Sequence, residues 1–324
     1  MDPKHLEEVC EAFDLGTPVS VEENQEGVLN LNYSLITDRG HFFIKSVRDR
    51  RKDSIPVIAA AERFMQDGGL PAVAMMPRTN GEVFLSLGSD VYTVYPYLEH
   101  SSPHEIPYEA LGAMLARIHA RGTEPLPELL QAVHMTEKRN EVVATKLAAY
   151  KGLAASGNEP DDTLFLSYID TKLELLDRLP TVPAYTPTLV HGDYHVGNIL
   201  FNKDGQVIGI CDWEKAELAP RAYEIARSVQ YIAFESRDEP YVYERDLAIE
   251  RGREFLSGYR GTYPISDDEL RAGFALRLRK LVMSFWIEEG FYDRGDSRAN
   301  KFIANETNLI KEFTNPETVE ELIA

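Results

Sequence analysis

Apolar and polar positions change rhythm once along this chain. Up to about residue 98 the apolar residues gather in short β-prone runs, at 19–23, 31–37, 41–47, 72–76, 83–87 and 91–97. Asp38-Arg39-Gly40, between the second and third runs, is hairpin chemistry, and Thr79-Asn80-Gly81 makes a turn before the fifth. One Ala-rich stretch, 54–66, spaces its apolar residues as a helix does, with Ser54 as cap, Pro56 in the first turn and Gly68-Gly69 as the stop. Beyond residue 99 helical spacing dominates, over 109–120, 129–150, 163–179, 241–259 and 267–289. Three short strand-like runs interrupt it, 188–190, 199–201 and 207–211, the last after an Asp204-Gly205 turn. The pattern predicts an α+β chain in two parts: a small sheet-rich lobe with one main helix over 1–98, and a larger, mostly helical lobe over 99–324.

Composition narrows this picture. A chain of 324 residues accommodates two domains, or one bilobal unit with a deep cleft. No apolar run approaches the roughly 18 residues that span a bilayer, and the acidic N-terminus lacks the apolar core of a signal peptide, so no membrane partner is expected. Cys10 and Cys211 give neither a disulfide framework nor a metal-ligand spacing, and are expected as reduced thiols of a cytoplasmic protein. The formal net charge of −19 argues against nucleic acid as a partner, because phosphate backbones recruit Lys and Arg. It suits either solubility or a cationic substrate.

The chemistry concentrates in 189–214, LVHGDYHVGNILFNKDGQVIGICDWE. His191-x-Asp193 is followed by Asn198, and then by Asp212 at the end of an apolar strand. Phosphoryl transfer needs a carboxylate to accept the proton of an attacking hydroxyl, and oxygen ligands for the Mg²⁺ that neutralises the phosphates. Asp193 can serve as the first, Asn198 with Asp212 as the second. A hairpin of 199–201 and 207–211 would return Asp212 beside Asn198. Taken singly, each residue has a plainer use: an Asp after a strand is usually a turn former or cap, and Lys45, on the third strand, is either an exposed lysine or a phosphate ligand.

These motifs resemble those of the kinase-like phosphotransferases that include aminoglycoside phosphotransferases, choline kinases and type II homoserine kinases. Their HGDxHxxN loop is matched by His191, Gly192, Asp193, His195 and Asn198, and their second metal motif by Asp212-Trp213-Glu214. The resemblance implies a protein-kinase-like bilobal fold, with ATP and Mg²⁺ as cofactors and a small-molecule alcohol as acceptor. It implies Asp193 as catalytic base, His195 as a phosphate-orienting group, and Asn198 and Asp212 as metal ligands. Lys45 would bind the nucleotide phosphates and Glu62 would hold it by an ion pair. Gly27 would lie in a phosphate loop similar to the Gly-x-x-Asn-x-Asn-Tyr stretch of type II homoserine kinases. Tyr95, Tyr97 and Leu98 would form the hinge; Pro96 lacks an N–H, so the amide that reads adenine belongs to Leu98 or Tyr97. His191 and Glu224 are expected as structural braces of the catalytic loop, and His119 of the Leu111-to-His119 helix as a structural residue.

For the acceptor, the candidate surface is Trp286, Glu288, Glu289, Tyr292 and Asp293, where aromatics mix with acids as in a pocket for an ammonium group. The alternative there is a core Trp on a helix whose acids face water. The acceptor classes in view are an amino alcohol, a homoserine-like amino acid and a sugar. Two other readings stand beside a metabolic kinase: a resistance enzyme acting on an aminoglycoside, and a nucleotide-binding module without catalysis. A protein kinase fits less well, since Trp213-Glu214 stands in place of Phe-Gly after Asp212 and no activation loop follows.

Overall fold

The computed structural model describes residues 1–24, 31–136, 138–157, 162–181, 184–234 and 244–324. Strands β1 (Pro18–Asn24), β2 (Leu31–Thr37), β3 (Gly40–Arg48), β4 (Leu85–Leu87) and β5 (Asp90–Pro96) form one antiparallel sheet in the order β1-β2-β3-β5-β4. Alternation along the strands sorts its two faces. Tyr33, Leu35, Ile44, Tyr92 and Val94 pack against Val9 and Cys10 of helix α1 (Pro3–Ala12) and Phe13 just after it. The residues between them, Lys45, Thr93 and Tyr95, line the opposite face with Ile55 and Ile58 of helix α2 (Ile55–Asp67). Helix α1 is absent from the sequence expectations; Asp2 caps it through the Lys4 amide, and Pro3 starts it.

The stretch 72–76, expected as a strand, is not one. Val73 N–H donates to the Ile210 carbonyl, Met75 N–H to Glu62 and Met76 N–H to the Val94 carbonyl. Its backbone is satisfied by three different elements, so no ladder forms, and the segment instead ties the sheet to the second lobe.

The larger part carries helices α3 (Tyr108–Gly122), α4 (Asn140–Ser156), α5 (Asp162–Leu176), α6 (Arg221–Val229), α7 (Arg245–Thr262) and α8 (Asp267–Val282), a single turn α9 (Trp286–Glu288), then α10 (Lys301–Thr314) and α11 (Pro316–Ile323). Helix α3 packs closely on α7, where a Cβ on Gly112 would run into the Phe255 carbonyl. Two ladders lie between the helices: β6 (Thr188–Val190) with β9 (Glu217–Ala219), and β7 (Ile199–Phe201) with β8 (Val207–Ile210). The helix expected over 129–150 begins only at Asn140, because the preceding backbone is used by β9: Met135 N–H donates to the Leu218 carbonyl, and Leu218 N–H to that of Val133. The helix expected over 267–289 ends at Val282. Past its end the amines of Lys138 and Lys172 take the Met283 and Ser284 carbonyls at 3.1 and 2.6 Å, a cationic C-terminal cap.

Candidate active site

The β6 strand ends at Val190 and delivers the loop His191 to Asn198. Glu224 of α6, buried beneath it, accepts the backbone amides of both His191 and Gly192. His119 of α3 meets the same carboxylate at 2.9 Å through Nε2, and its other ring nitrogen meets the Tyr259 hydroxyl at 2.9 Å. Gly192 takes φ +80°, and any Cβ there would strike the Lys215 carbonyl, so the turn needs glycine. His191 is fully buried; its Nε2 donates to the Cys211 carbonyl at 3.0 Å, and its Nδ1 accepts the Asp193 amide at 3.2 Å. His119, His191 and Glu224 therefore act as braces that fix where Asp193 stands.

Two cations and an imidazole surround the Asp193 carboxylate. Lys215 Nζ lies 2.8 Å from Oδ2, Arg227 Nη2 donates to Oδ1 at 2.9 Å, and His195 Nε2 is 3.8 Å from Oδ2. Burial alone would raise its pKa, but His195, Arg227 and Lys215 outweigh that and hold it well below the usual carboxylate range. Sequence reasoning missed Lys215 and Arg227. The available signals were weak: Lys215 follows Asp212-Trp213-Glu214 directly, and Arg227 lies one turn beyond Glu224 on a helix that already braces the loop.

The β7–β8 ladder brings Asn198 and Asp212 together as expected, pairing Ile199 with Ile210, while Cys211 N–H donates to the Asn198 carbonyl. Asn198 Nδ2 donates to the Asp193 carbonyl at 3.0 Å, which fixes the carboxamide with its oxygen turned from that contact. Asp212 takes left-handed backbone, φ 66° and ψ 56°, one of two non-glycine residues with positive φ among those described. Asp tolerates this conformation, and such outliers gather at functional sites. The donor set here is carboxylate and carboxamide oxygen with Glu214 close by, which fits a hard divalent cation such as Mg²⁺.

Lys45 reaches this group from β3. Its amine lies 3.0 Å from Asp212 Oδ1 and 3.6 Å from Glu214 Oε1. The expected ion pair with Glu62 is not formed. Glu62 falls in the apolar stripe of α2 with Ile55, Ile58 and Met65, has 0% exposure, and accepts the Met75 amide at 2.9 Å and the Tyr95 hydroxyl at 3.2 Å. Tyr95 thus points into the cleft and not to the hinge backbone. Tyr97 N–H is occupied by the His41 carbonyl at 3.1 Å, and its ring stacks on His41. Of the two expected hinge amides, that of Tyr97 is therefore already bonded. Gly27 lies outside the described residues, and of the expected phosphate stretch only its end, Leu31 to Tyr33 in β2, is described. Lys45, Tyr95, Asp193, Asp212 and Lys215 together line a cleft of about 330 Å³ between the sheet and the β7–β8 ladder.

A second cavity, about 300 Å³, opens on the far side of Arg227, lined by Lys138, Arg227, Tyr231, Arg277, Lys280 and Trp286 among others. Of the five expected acceptor residues only Trp286 borders it. Glu288 has 0% exposure and is paired at 2.8 Å with the equally buried Lys172. Glu289 pairs with Lys146 at 2.5 Å, Asp293 accepts the Tyr150 hydroxyl at 2.7 Å, and the Tyr292 hydroxyl donates to Asp162 at 3.0 Å. The helix break after Val282 leaves Glu288 buried and Glu289, Tyr292 and Asp293 each already partnered, so of the expected acceptor surface only Trp286 borders the second cavity.

The model of the phosphotransferase enzyme family matches residues 20–259. The chain belongs to that family. As a phosphotransferase of this kind it is a small-molecule kinase. It is 24% identical over 289 residues to a homoserine kinase of Caulobacter vibrioides, covering 88% of this chain and 85% of that protein. A homoserine kinase of Neisseria meningitidis serogroup B is 26% identical over 280 residues, 85% of this chain and 84% of the other. Among solved structures, amicoumacin kinase in complex with AMP-PNP, Ca²⁺ and Ami superposes with a TM-score of 0.67 at 17% identity, covering 95% and 94% of the two chains. A microcompartment-associated aminopropanol kinase gives 0.61 at 15% identity, over 93% and 94%. These likenesses establish the kinase-like fold. No helix among the described residues is long and apolar enough to cross a membrane.

Proposed function

We propose that this phosphotransferase moves the γ-phosphoryl group of ATP to the hydroxyl of a small metabolite, with Asp193 as base and Mg²⁺ held by Asn198 and Asp212. The observation that carries the reading is the position of Asp193: it lines the first cleft beside Lys45 and Asp212, and through Arg227 it touches the second. A donor nucleotide in the first and an acceptor in the second would meet at its carboxylate. The acceptor oxygen would bond to the γ-phosphorus as the bond to the ADP oxygen breaks, and the hydroxyl proton would pass to Asp193. A carboxylate with so low a pKa is a weak base at equilibrium. Its part is to orient the hydroxyl and to take the proton late, once bonding to phosphorus has made that oxygen acidic. Bound Mg²⁺ supplies charge neutralisation across the phosphates.

Lys45 would bind those phosphates, exchanging its present contacts with Asp212 and Glu214 for the nucleotide. His195, with Nδ1 held by the Gly197 amide at 3.1 Å, presents Nε2 toward Asp193 and would orient the γ-phosphate. Leu98 would read adenine. The homoserine kinase relatives favour a short acceptor of amino-acid size, and the modest second cavity agrees better with that than with an aminoglycoside. ADP release against amino alcohols, hydroxy acids, amino acids, sugars and aminoglycosides tests the reaction. Asp212→Ala, followed by calorimetry with ATP with and without Mg²⁺, tests the metal ligand. The expected result is Mg²⁺-dependent ATP binding that the variant loses; the same metal dependence in both proteins would remove Asp212 from the site.

A further inference from the structure

The second cavity has a charge opposite to that of the molecule around it. The chain carries 53 acidic against 34 basic residues, yet this cavity gathers Lys138, Arg227, Arg277 and Lys280. Its one acidic lining residue, Glu306, is 5% exposed and already bonded to the Tyr168 hydroxyl. Burial raises the Glu306 pKa, against the opposing influence of Lys172, that hydroxyl and the charge of Arg277. Crowding also acts on the cations: burial lowers the Lys138 pKa, and Lys146, Lys172 and Lys280 lower it further against the pull of Glu289. Like charges held together this way are relieved by an anion.

The four cations are not equally committed. Arg227 donates to Asp193 and faces the Tyr231 hydroxyl at 3.3 Å. Lys138 donates to the Met283 carbonyl and keeps further N–H donors, and Lys280 donates to the Thr136 carbonyl. Arg277 is 8% exposed, and its Nε donates to Gln230 at 2.7 Å. Among the described residues its two terminal nitrogens meet no carboxylate and no carbonyl within bonding distance, and Arg277 lines the cavity. A buried guanidinium whose outer fork is uncommitted matches the two oxygens of a carboxylate.

We propose that the cavity is an anion subsite for the acceptor, which is a small alcohol bearing a carboxylate gripped by Arg277 with Lys138 and Lys280 beside it, and whose amino group, if present, goes unread. This rests on the kinase reading above. It specifies what that reading leaves open: the recognised group is the negative charge. Arg227 then has two roles, screening the incoming anion and setting the reacting carboxylate of Asp193 beside it.

The test compares kcat/KM for acceptors of matched chain length: 4-hydroxybutyrate, homoserine, 3-aminopropanol, 1,3-propanediol and 3-hydroxypropyl phosphate. The two carboxylates are expected within about threefold of each other, and the amino alcohol and diol at least about 100-fold lower. Arg277→Gln should raise the KM of both carboxylates by about 30-fold or more without moving that for ATP, and Arg277→Lys should recover part of the loss. If Arg277→Gln fails to fold, Lys138→Gln and Lys280→Gln should each raise the same KM about three- to tenfold. The amino alcohol or the diol used as well as the carboxylates would overturn the proposal, and the phosphate ester outperforming both would replace carboxylate by phosphate as the recognised anion. If none is phosphorylated, calorimetry of 4-hydroxybutyrate with the AMP-PNP-loaded protein decides. Absence of binding there, with Mg²⁺-dependent nucleotide binding intact, overturns the subsite alone; loss of nucleotide binding itself overturns the kinase reading.

Discussion

Glu62 has no cation within bonding distance, and burial pushes its pKa up to about 8, partly offset by the Met75 amide, the charge of Lys45 and the Tyr95 hydroxyl. The folded pKa is above the unfolded value, so the folded chain binds the extra proton between about pH 4.5 and 8. Glu62 therefore contributes stability that is complete below the unfolded pKa and is lost as pH rises through the folded one. The slope is at most about 1.4 kcal/mol per pH unit. Urea unfolding of Glu62→Gln from pH 5 to 8 should show the variant gaining on the parent as pH rises; a constant difference would mean Glu62 is ionised throughout. At this scale the sequence was partly legible. Asp193, Asn198 and Asp212 stand out in the sequence because a metal and a proton acceptor would each demand a residue type at a fixed spacing. That Lys45 leans toward Asp212 and Glu214 instead of Glu62 depends on charge balance in the cleft, and no local pattern encodes it.

Among the elements, the break after α8 shaped the site more than any strand did. Its position follows from tertiary capping: Lys138 and Lys172, from distant segments, take the carbonyls of Met283 and Ser284, and so the pattern that extends to residue 289 does not decide it. The sequence alone left 284–293 looking like an exposed acidic face, whereas folding pairs Glu288 with Lys172 at 0% exposure on both sides. Removing one partner of such a pair strands a buried charge and typically costs about 3–5 kcal/mol. Lys172→Met should therefore destabilise strongly, by denaturant midpoint, and the double variant Lys172→Met with Glu288→Leu should recover most of the loss. A double variant as unstable as the single one would show that packing around Lys172, and not its charge, holds this region. The catalytic loop was more legible, because its braces His119, His191 and Glu224 lie in short motifs close to their partners in the chain or on neighbouring helices.

For the whole molecule, the two-part rhythm of apolar positions foretold an antiparallel sheet followed by helices, and the five-stranded sheet and the helices after it agree with that. Net charge does not describe the local charge at the second cavity. A value of −19 describes the surface as a whole, while the cavity beside Asp193 is basic. The account depends on that one carboxylate joining the two cavities. The most direct measurement is paired ATP binding and turnover of Asp193→Asn, by calorimetry with Mg²⁺ and by ADP release with the best acceptor found. Binding should stay within about threefold of the parent while turnover falls by roughly 10²- to 10⁴-fold, the usual scale for losing a general base. A variant that keeps more than about half of the parent's turnover would contradict the account and place the base elsewhere.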